Sequence, residues 1–462
     1  MSDTSSAGRR SWIADLRVYT EPSVARMMLL GFSAGLPLLL VLGTLSYRLR
    51  EAGIDRTTIG FLSWVALAYA FKWAWAPLVD RMPLPFFTRR LGRRRSWLLL
   101  AQLGIVAGLI GSALTDPAIH LHQLVLFSLL VAFSSATQDI ALDAFRIESA
   151  GVSRQAAMAA TYQIGYRAAM IFSSAGALWI AAGFDPDEKT YEHAPWMITY
   201  FVMAAAMSVG MLTVLFSKEP AASAIPGATQ GERNFGARLQ RNTWIPPWLA
   251  SFGIWVYGAM LSPFLDFVSR YRWRAVLLLA LIGTYRISDI VMGVMASPFY
   301  RDIGFTKEEV AAVSGVYGVI MTLVGASIGG VLSLRLGVMR VLFAGAALSA
   351  ATNLLFAWLA TRGHDLPGLV MAVSIDNLSG GIASAAFVAY LSSLTNVAYS
   401  ATQYALFSSI MLLLPKFLAG FSGWAVDHSD YQTFFTGTAV LGVPVLILVA
   451  LAGRVSAPKN PS

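Results

Sequence analysis

Apolar runs of about twenty residues, separated by short polar connections, recur from one end of the chain to the other. As helix, one such run crosses the roughly 30 Å of hydrocarbon in a bilayer. The runs are continuous and lack the short alternating segments of a membrane barrel, so they predict helices. Twelve spans are expected, near 24–47, 57–79, 96–115, 121–146, 156–182, 195–217, 277–299, 309–333, 338–360, 366–392, 401–426 and 432–453. The predicted fold class is an all-α integral membrane protein made of two six-helix halves.

The connections sort by charge. One set is basic: Arg89, Arg90, Arg93, Arg94 and Arg95; Arg154; Arg233, Arg238 and Arg241; Arg335 and Arg340. The other is acidic or mixed: Asp185, Asp187, Glu188 and Glu192; Asp302, Glu308 and Glu309; Asp365; Asp427 and Asp430. The two sets alternate, and positive loops stay cytoplasmic. Both termini are therefore expected in the cytoplasm, the segment 1–23 as a tail rather than a cleaved signal peptide and 454–462 as a second tail.

The longest connection, 218–276, divides the halves 24–217 and 277–453. Its first part, with Pro220, Ser223, Pro226 and Gly227, reads as a flexible linker. Its second part, Trp248 to Phe267, is nearly apolar. Pro246, Pro247 and Pro263 interrupt it, and a thirteenth span would invert the charge alternation that follows. A helix lying in the cytoplasmic interface, anchored by Trp244, Trp248, Trp255, Arg270 and Arg272, fits better.

Composition agrees: 56% of the 462 residues are hydrophobic and only 13% charged, too little charged surface for a soluble domain. The net charge of +9 sits in loops beside the spans, which accounts for it without a nucleic-acid partner. There is no cysteine, and His120, His122, His193, His364 and His428 form no ligand motif, so no metal site or other cofactor is expected. No phosphate-binding glycine loop, His-Glu-x-x-His or Gly-x-Ser-x-Gly occurs, which argues against an enzyme and against direct use of ATP.

Polar residues inside the spans carry the candidate chemistry, because a charge at the centre of a membrane helix costs roughly 2.5–3.5 kcal/mol on insertion scales and so faces a cavity or a partner. The richest run is Ser134 to Arg146, where Gln138, Asp139, Asp143 and Arg146 recur at helical spacing. Lys72 lies on the second span, Gln163, Tyr166 and Arg167 on the fifth, and Tyr285, Arg286 and Asp289 on the seventh. Asp376 and Asn377 lie on the tenth, and Gln403 and Lys416 on the eleventh. Amides that both donate and accept suit a sugar, and Lys72, Arg167 and Arg286 suit carboxylates. Substrate contacts are expected from Lys72, Gln138, Gln163, Tyr166, Arg167, Tyr285, Arg286, Asn377 and Gln403. Proton exchange is expected from Asp139, with Asp143, Asp289 and Asp376 behind it. Plainer readings stay open: Asp143 with Arg146 as a gating or anchoring ion pair, and Arg286 with Asp289 as an intrahelical pair.

The second span leads into Asp80-Arg81 and then Gly92-Arg93-Arg94-Arg95, and the matching place in the second half holds Gly330 to Arg340, with Arg335 and Gly337. Both resemble the loop motif Gly-x-x-x-Asp-Arg-x-Gly-Arg-Arg of the major facilitator superfamily, which assigns Asp80 and Arg81 to gating; Arg146 is a gating candidate through its pairing with Asp143. In the first copy Ala76 replaces the leading glycine; in the second, Leu334 replaces the acid.

Gly31-Phe-Ser-Ala-Gly35-Leu-Pro37, Phe71-Lys72, Trp75-Ala-Pro77-Leu-Val-Asp80-Arg81, Ser135-Ala-Thr-Gln138-Asp139-Ile140, Gly165-Tyr166-Arg167, Asp376-Asn377-Leu378-Ser-Gly380-Gly381 and Ser400-Ala-Thr-Gln403 together resemble the AmpG family of muropeptide permeases within that superfamily. The resemblance runs from about 25 to 450. It implies a bacterial inner-membrane importer, expected to act as a monomer. Its substrate is the disaccharide of N-acetylglucosamine and 1,6-anhydro-N-acetylmuramic acid, with or without peptide. Protons drive uptake, which serves peptidoglycan recycling and, in some bacteria, β-lactamase induction. Two rivals remain: a transporter of another organic solute such as an acyl-CoA-like compound, and a non-transporting assembly factor of the same superfamily.

Overall fold

The computed structural model describes residues 21–149, 152–185, 190–220, 261–394 and 400–454, with a few separate positions (234–238, 246, 250, 253–254 and 257) between them. Every regular element among these residues is helical. The first half contains α1 (Pro22–Glu51), α2 (56–81), α3 (Arg93–Leu114), α4 (Pro117–Ser149), α5 (152–183) and α6 (His193–Phe216). The second contains α7 (Arg274–Asp302), α8 (307–336), α9 (Val338–Ala360), α10 (Leu366–Leu394), α11 (400–428) and α12 (Tyr431–Arg454). Eleven stretches are long and apolar enough to cross a membrane as near-continuous helix. The remaining one, α2, crosses in pieces. It passes from Arg56–Leu62 through tighter 3-10 turns at Ser63–Ala66 and Lys72–Ala74 to Ala76–Arg81. The second of these turns places Lys72 at the break.

The two halves repeat the same packing. In the first, α1 packs along α5, α3 against α4 and α6, and α2 against α4; in the second, α7 packs along α11, α9 against α10 and α12, and α8 against α10. The loop motif repeats as well: Gly92 and Gly337 take φ of 85° and 86°, a left-handed turn that glycine adopts without strain. Arg94, which follows the first of these glycines, forms a buried pair with Glu148 at 2.7 Å, and Glu219 accepts the backbone N–H groups of Arg94 and Arg95. Observed helices overlie all twelve expected spans; the second is broken into pieces, α5 starts at Val152, and α4 starts at Pro117, kinks at His120 and runs on to Ser149. In the long central connection a helix is described at Ser262–Tyr271; Trp244, Trp248 and Trp255, expected to anchor an interfacial helix there, lie outside the described residues.

The halves meet where α1 touches α7, α2 touches α11 and α5 touches α8. At the α5–α8 contact both helices widen into a π turn, at Phe172–Gly176 and Ala311–Tyr317. The α2–α11 crossing is closest at Gly423, where an added Cβ would lie 1.6 Å from the Arg56 carbonyl oxygen. Gly423→Ala must therefore push the helices apart, at a cost of about 1–3 kcal/mol typical of overpacking. The expected result is a melting temperature in detergent lowered by several degrees together with reduced transport; an unchanged melting curve contradicts this packing.

Candidate functional site

Two clusters of charge lie within the spans. In the first half the break in α2 presents Lys72 to α4, and its Nζ lies 3.7 Å from Asp139 Oδ2. These side chains are 32% and 20% exposed. A charge inside the hydrocarbon cannot face lipid at that exposure without a large penalty, so the exposed side opens on polar space between the helices. Tyr69, Tyr162 and Tyr166 lie within electrostatic reach of Asp139 and wall it in. Arg167 has no carboxylate partner among the described residues; its guanidinium touches only Met170 Sδ, at 3.7 Å.

In the second half α7 breaks between Thr284 and Ile287 and exposes Arg286, whose Nε donates to Asp289 Oδ2 at 3.2 Å. Asp376 accepts a hydrogen bond from Thr352 Oγ1 at 2.8 Å and feels both Asp289 and Arg286. A cavity of about 10 Å³ beside Tyr285, Arg286, Ser288 and Asp289 has room for roughly one water.

Other expected site residues are placed differently. Gln138 is buried in the first half, where its Oε1 accepts from Ser33 Oγ at 3.3 Å, and Gln102 bonds the same hydroxyl. Tyr285 donates to the Leu342 carbonyl and stacks on Phe387 at 4.3 Å. Asn377 bonds Thr322 Oγ1 and the Val373 carbonyl. All three spend hydrogen-bonding capacity inside their own half in this conformation. Gln163 is exposed on α5, and Tyr166 is partly buried against Tyr162. Asp143, 58% exposed, pairs with Arg146 at 3.4 Å, so the plainer ion-pair reading describes its geometry. The side chains of Asp80, Arg81 and Gln403 lie outside the described residues.

The most heavily bonded cluster is one that sequence reasoning missed. At the end of the bundle where α1 finishes and α8 begins, Lys307 of the second half inserts between Glu51 and Asp185 of the first. Its Nζ lies 2.9 Å from Glu51 Oε1 and also pairs with Asp185, and all three side chains are only 1–2% exposed. Trp196 Nε1 donates to Glu51 Oε2 at 2.6 Å. The fully buried Arg48, one turn earlier on α1, bonds the carbonyls of Ser112 and Thr115. Nearby, Asp302 of α7 holds Arg50 at 2.5 Å and Arg56 at 2.8 Å, and accepts from Tyr431. Asp427 of α11 holds Arg56 and Thr57. Every ion pair joining the halves among the described residues lies at this end. These acids look like ordinary loop charges in the sequence, because their partners are distant in the chain.

Residues 24–119 match the acetyl-coenzyme A transporter 1 family and residues 277–462 the major facilitator superfamily. Over 433 residues the chain is 32% identical to the putative transporter AmpG 4 of Rickettsia felis, covering 94% of this chain and 97% of that one. Over 435 residues it is 33% identical to the anhydromuropeptide permease of Escherichia coli K12, covering 94% of this chain and 80% of that one. The chain belongs to the AmpG family of the major facilitator superfamily. Among solved structures, a D-xylose-proton symporter superposes with a TM-score of 0.66 at 12% identity, covering 92% of this chain and 96% of that one. A POT family transporter in complex with a thioalcohol-conjugated peptide gives 0.66 at 12%, covering 94% and 96%. At that identity these two establish the fold alone. This AmpG-family protein is thus a multi-pass membrane transporter and not an enzyme.

Proposed function

We propose that this AmpG-family protein imports cell-wall-derived anhydromuropeptides across the bacterial inner membrane, from periplasm to cytoplasm, by symport with protons. The observation that carries the reading is the extended match to the anhydromuropeptide permease of Escherichia coli. The charge inside the spans supports it: Lys72 and Arg286 pair with Asp139 and Asp289, whereas Arg167 and Lys416 have no carboxylate within ion-pair distance among the described residues. An excess cation among hydrogen-bonding groups suits the carboxylate of an amino-sugar acid or its peptide better than a neutral solute.

The units 24–217 and 277–453 rock about this polar region. On this reading the end closed by Lys307, Glu51, Asp185 and Asp302 faces the periplasm, both termini and the 218–276 connection face the cytoplasm, and the protein works as a monomer. Import feeds peptidoglycan recycling and, where the host has an inducible β-lactamase, its induction.

The direct test is uptake of labelled anhydro-disaccharide by cells that lack their own permease and express this chain. Restored, saturable uptake is expected; none contradicts the reading. Orientation has its own test, because the chain is naturally cysteine-free. Asp187→Cys should react with an impermeant thiol reagent from outside, and Ser223→Cys only after permeabilisation. The reverse pattern overturns the topology.

A further inference from the structure

Lys416 reaches across the boundary between the halves. It follows Pro415 on α11, and its Nζ donates to the Ala66 carbonyl at 2.9 Å, where α2 is wound into its first 3-10 turn. The same ammonium lies 5.2 Å from the centre of the Tyr69 ring. Phe417, the next residue, returns the contact: its carbonyl accepts from Trp64 Nε1 at 2.9 Å, and the two rings stack 5° from parallel. Phe61, Trp64, Phe417 and Phe421 pack this crossing and Asp427 ties Arg56 and Thr57 further along it, so its fastening does not rest on Lys416.

A lysine here brings something further. No carboxylate among the described residues lies within ion-pair distance of it. It nevertheless interacts electrostatically with both Lys72 and Asp139. Two ammonium groups from opposite halves thus lie near one carboxylate, and only Lys72 is close enough to pair with it. A carbonyl and an aromatic face are weaker partners for an ammonium than a carboxylate is.

We propose that Lys416 is a specificity-determining residue that reads the carboxylate of the transported substrate, exchanging the Ala66 carbonyl for it. The proposal rests on the anhydromuropeptide reading and deepens it: the substrate must carry an anion within reach of α2 and α11. In the resting state the ammonium is parked on α2. When the anion arrives, Lys416 and Lys72 take it from opposite halves, while Asp139 keeps its place beside Lys72. Because Lys416 belongs to one half and its resting acceptor to the other, the exchange also removes a bond between the halves, so anion binding and helix separation favour each other.

The experiment compares two labelled substrates in proteoliposomes: the anhydro-disaccharide with its free lactyl carboxylate, and the same disaccharide with that group converted to the primary amide. The wild-type protein should show a KM for the acid about 10- to 100-fold below that for the amide, the range of one charge-assisted hydrogen bond. Lys416→Met should raise the KM for the acid toward that of the amide, by about tenfold, and leave the amide unchanged. Lys416→Arg should keep the preference. Lys416→Gln retains a donor for the Ala66 carbonyl but no charge, so it separates the roles: behaviour like Met supports charge reading, and wild-type behaviour shows a mere strut and overturns the proposal. Equal effects of Lys416→Met on both substrates, or none, overturn it as well. If Lys416→Met does not reach the membrane, the Gln variant alone decides. A wild-type protein that carries neither compound refutes the substrate reading itself, and the Lys416 assignment falls with it; a wild-type protein that carries both without preference refutes only the latter.

Discussion

Replacing Lys307 by methionine is expected to abolish uptake, because it releases the closed end of the transporter. Glu51 and Asp185 would be left 1–2% exposed with no cation between them. Removing one member of a buried ion pair costs about 3–5 kcal/mol, since the remaining charge stays desolvated. That penalty applies only to the conformation in which Lys307 is inserted, so it shifts the balance between conformations by roughly two to four powers of ten. Arg50, Arg56 and Asp302 stay paired but lie at the rim, 13–27% exposed, where an ion pair contributes less. Ser173→Cys supplies a reporter: Ser173 is fully buried in the π turn of α5, and Thr44 bonds its carbonyl. In the Lys307→Met background this cysteine should react with an external thiol reagent far faster than in the wild type. Adding Glu51→Gln and Asp185→Asn removes the stranded charges and should restore protection. Unchanged labelling with normal uptake contradicts the gate.

Asp139→Asn is expected to abolish concentrative uptake and to spare exchange of substrate. The amide keeps the shape of the carboxylate and loses its proton chemistry. The pair is long, at 3.7 Å, and both side chains are partly exposed, so its loss should cost less stability than loss of the fully buried Lys307 pairs. Folding and delivery should therefore survive, and Lys72 remains free to meet the substrate. With a pH difference of about one unit and one proton per substrate, the wild type accumulates substrate about tenfold; the variant should stop near equality. If Asp139→Asn accumulates as the wild type does, coupling resides elsewhere, with Asp289 and Asp376 next, since both lie beside Arg286.

The helices were legible because each span is a long apolar run, and the repeat because the turn glycines Gly92 and Gly337 recur at matching positions. The polar residues were legible as a list but not as a site. Gln138 shares a sequence block with Asp139, yet one residue along a helix turns the side chain by about 100°. Gln138 consequently packs toward Ser33 while Asp139 meets Lys72. The break that presents Lys72 was hidden because the sequence of α2 reads as one apolar run, and only its backbone geometry tightens. The gate was hidden for a different reason. Glu51, Asp185 and Lys307 are separated by well over a hundred residues, and each carries the charge expected of a loop beside a membrane. Charge alternation along the chain records topology; it does not record which loop charges become buried when the halves close.

The central claim is proton-driven import of an anionic anhydromuropeptide. The most direct measurement is uptake of the labelled anhydro-disaccharide into proteoliposomes holding only the purified protein, with the exterior acidified or with pH equal on both sides. The expected result is saturable uptake that rises about tenfold above equality for a pH difference of about one unit. Uptake should level at equality without the gradient, and unlabelled anhydro-disaccharide should compete while acetyl-CoA should not. Absence of saturable uptake, or displacement of the label by acetyl-CoA alone, contradicts the account.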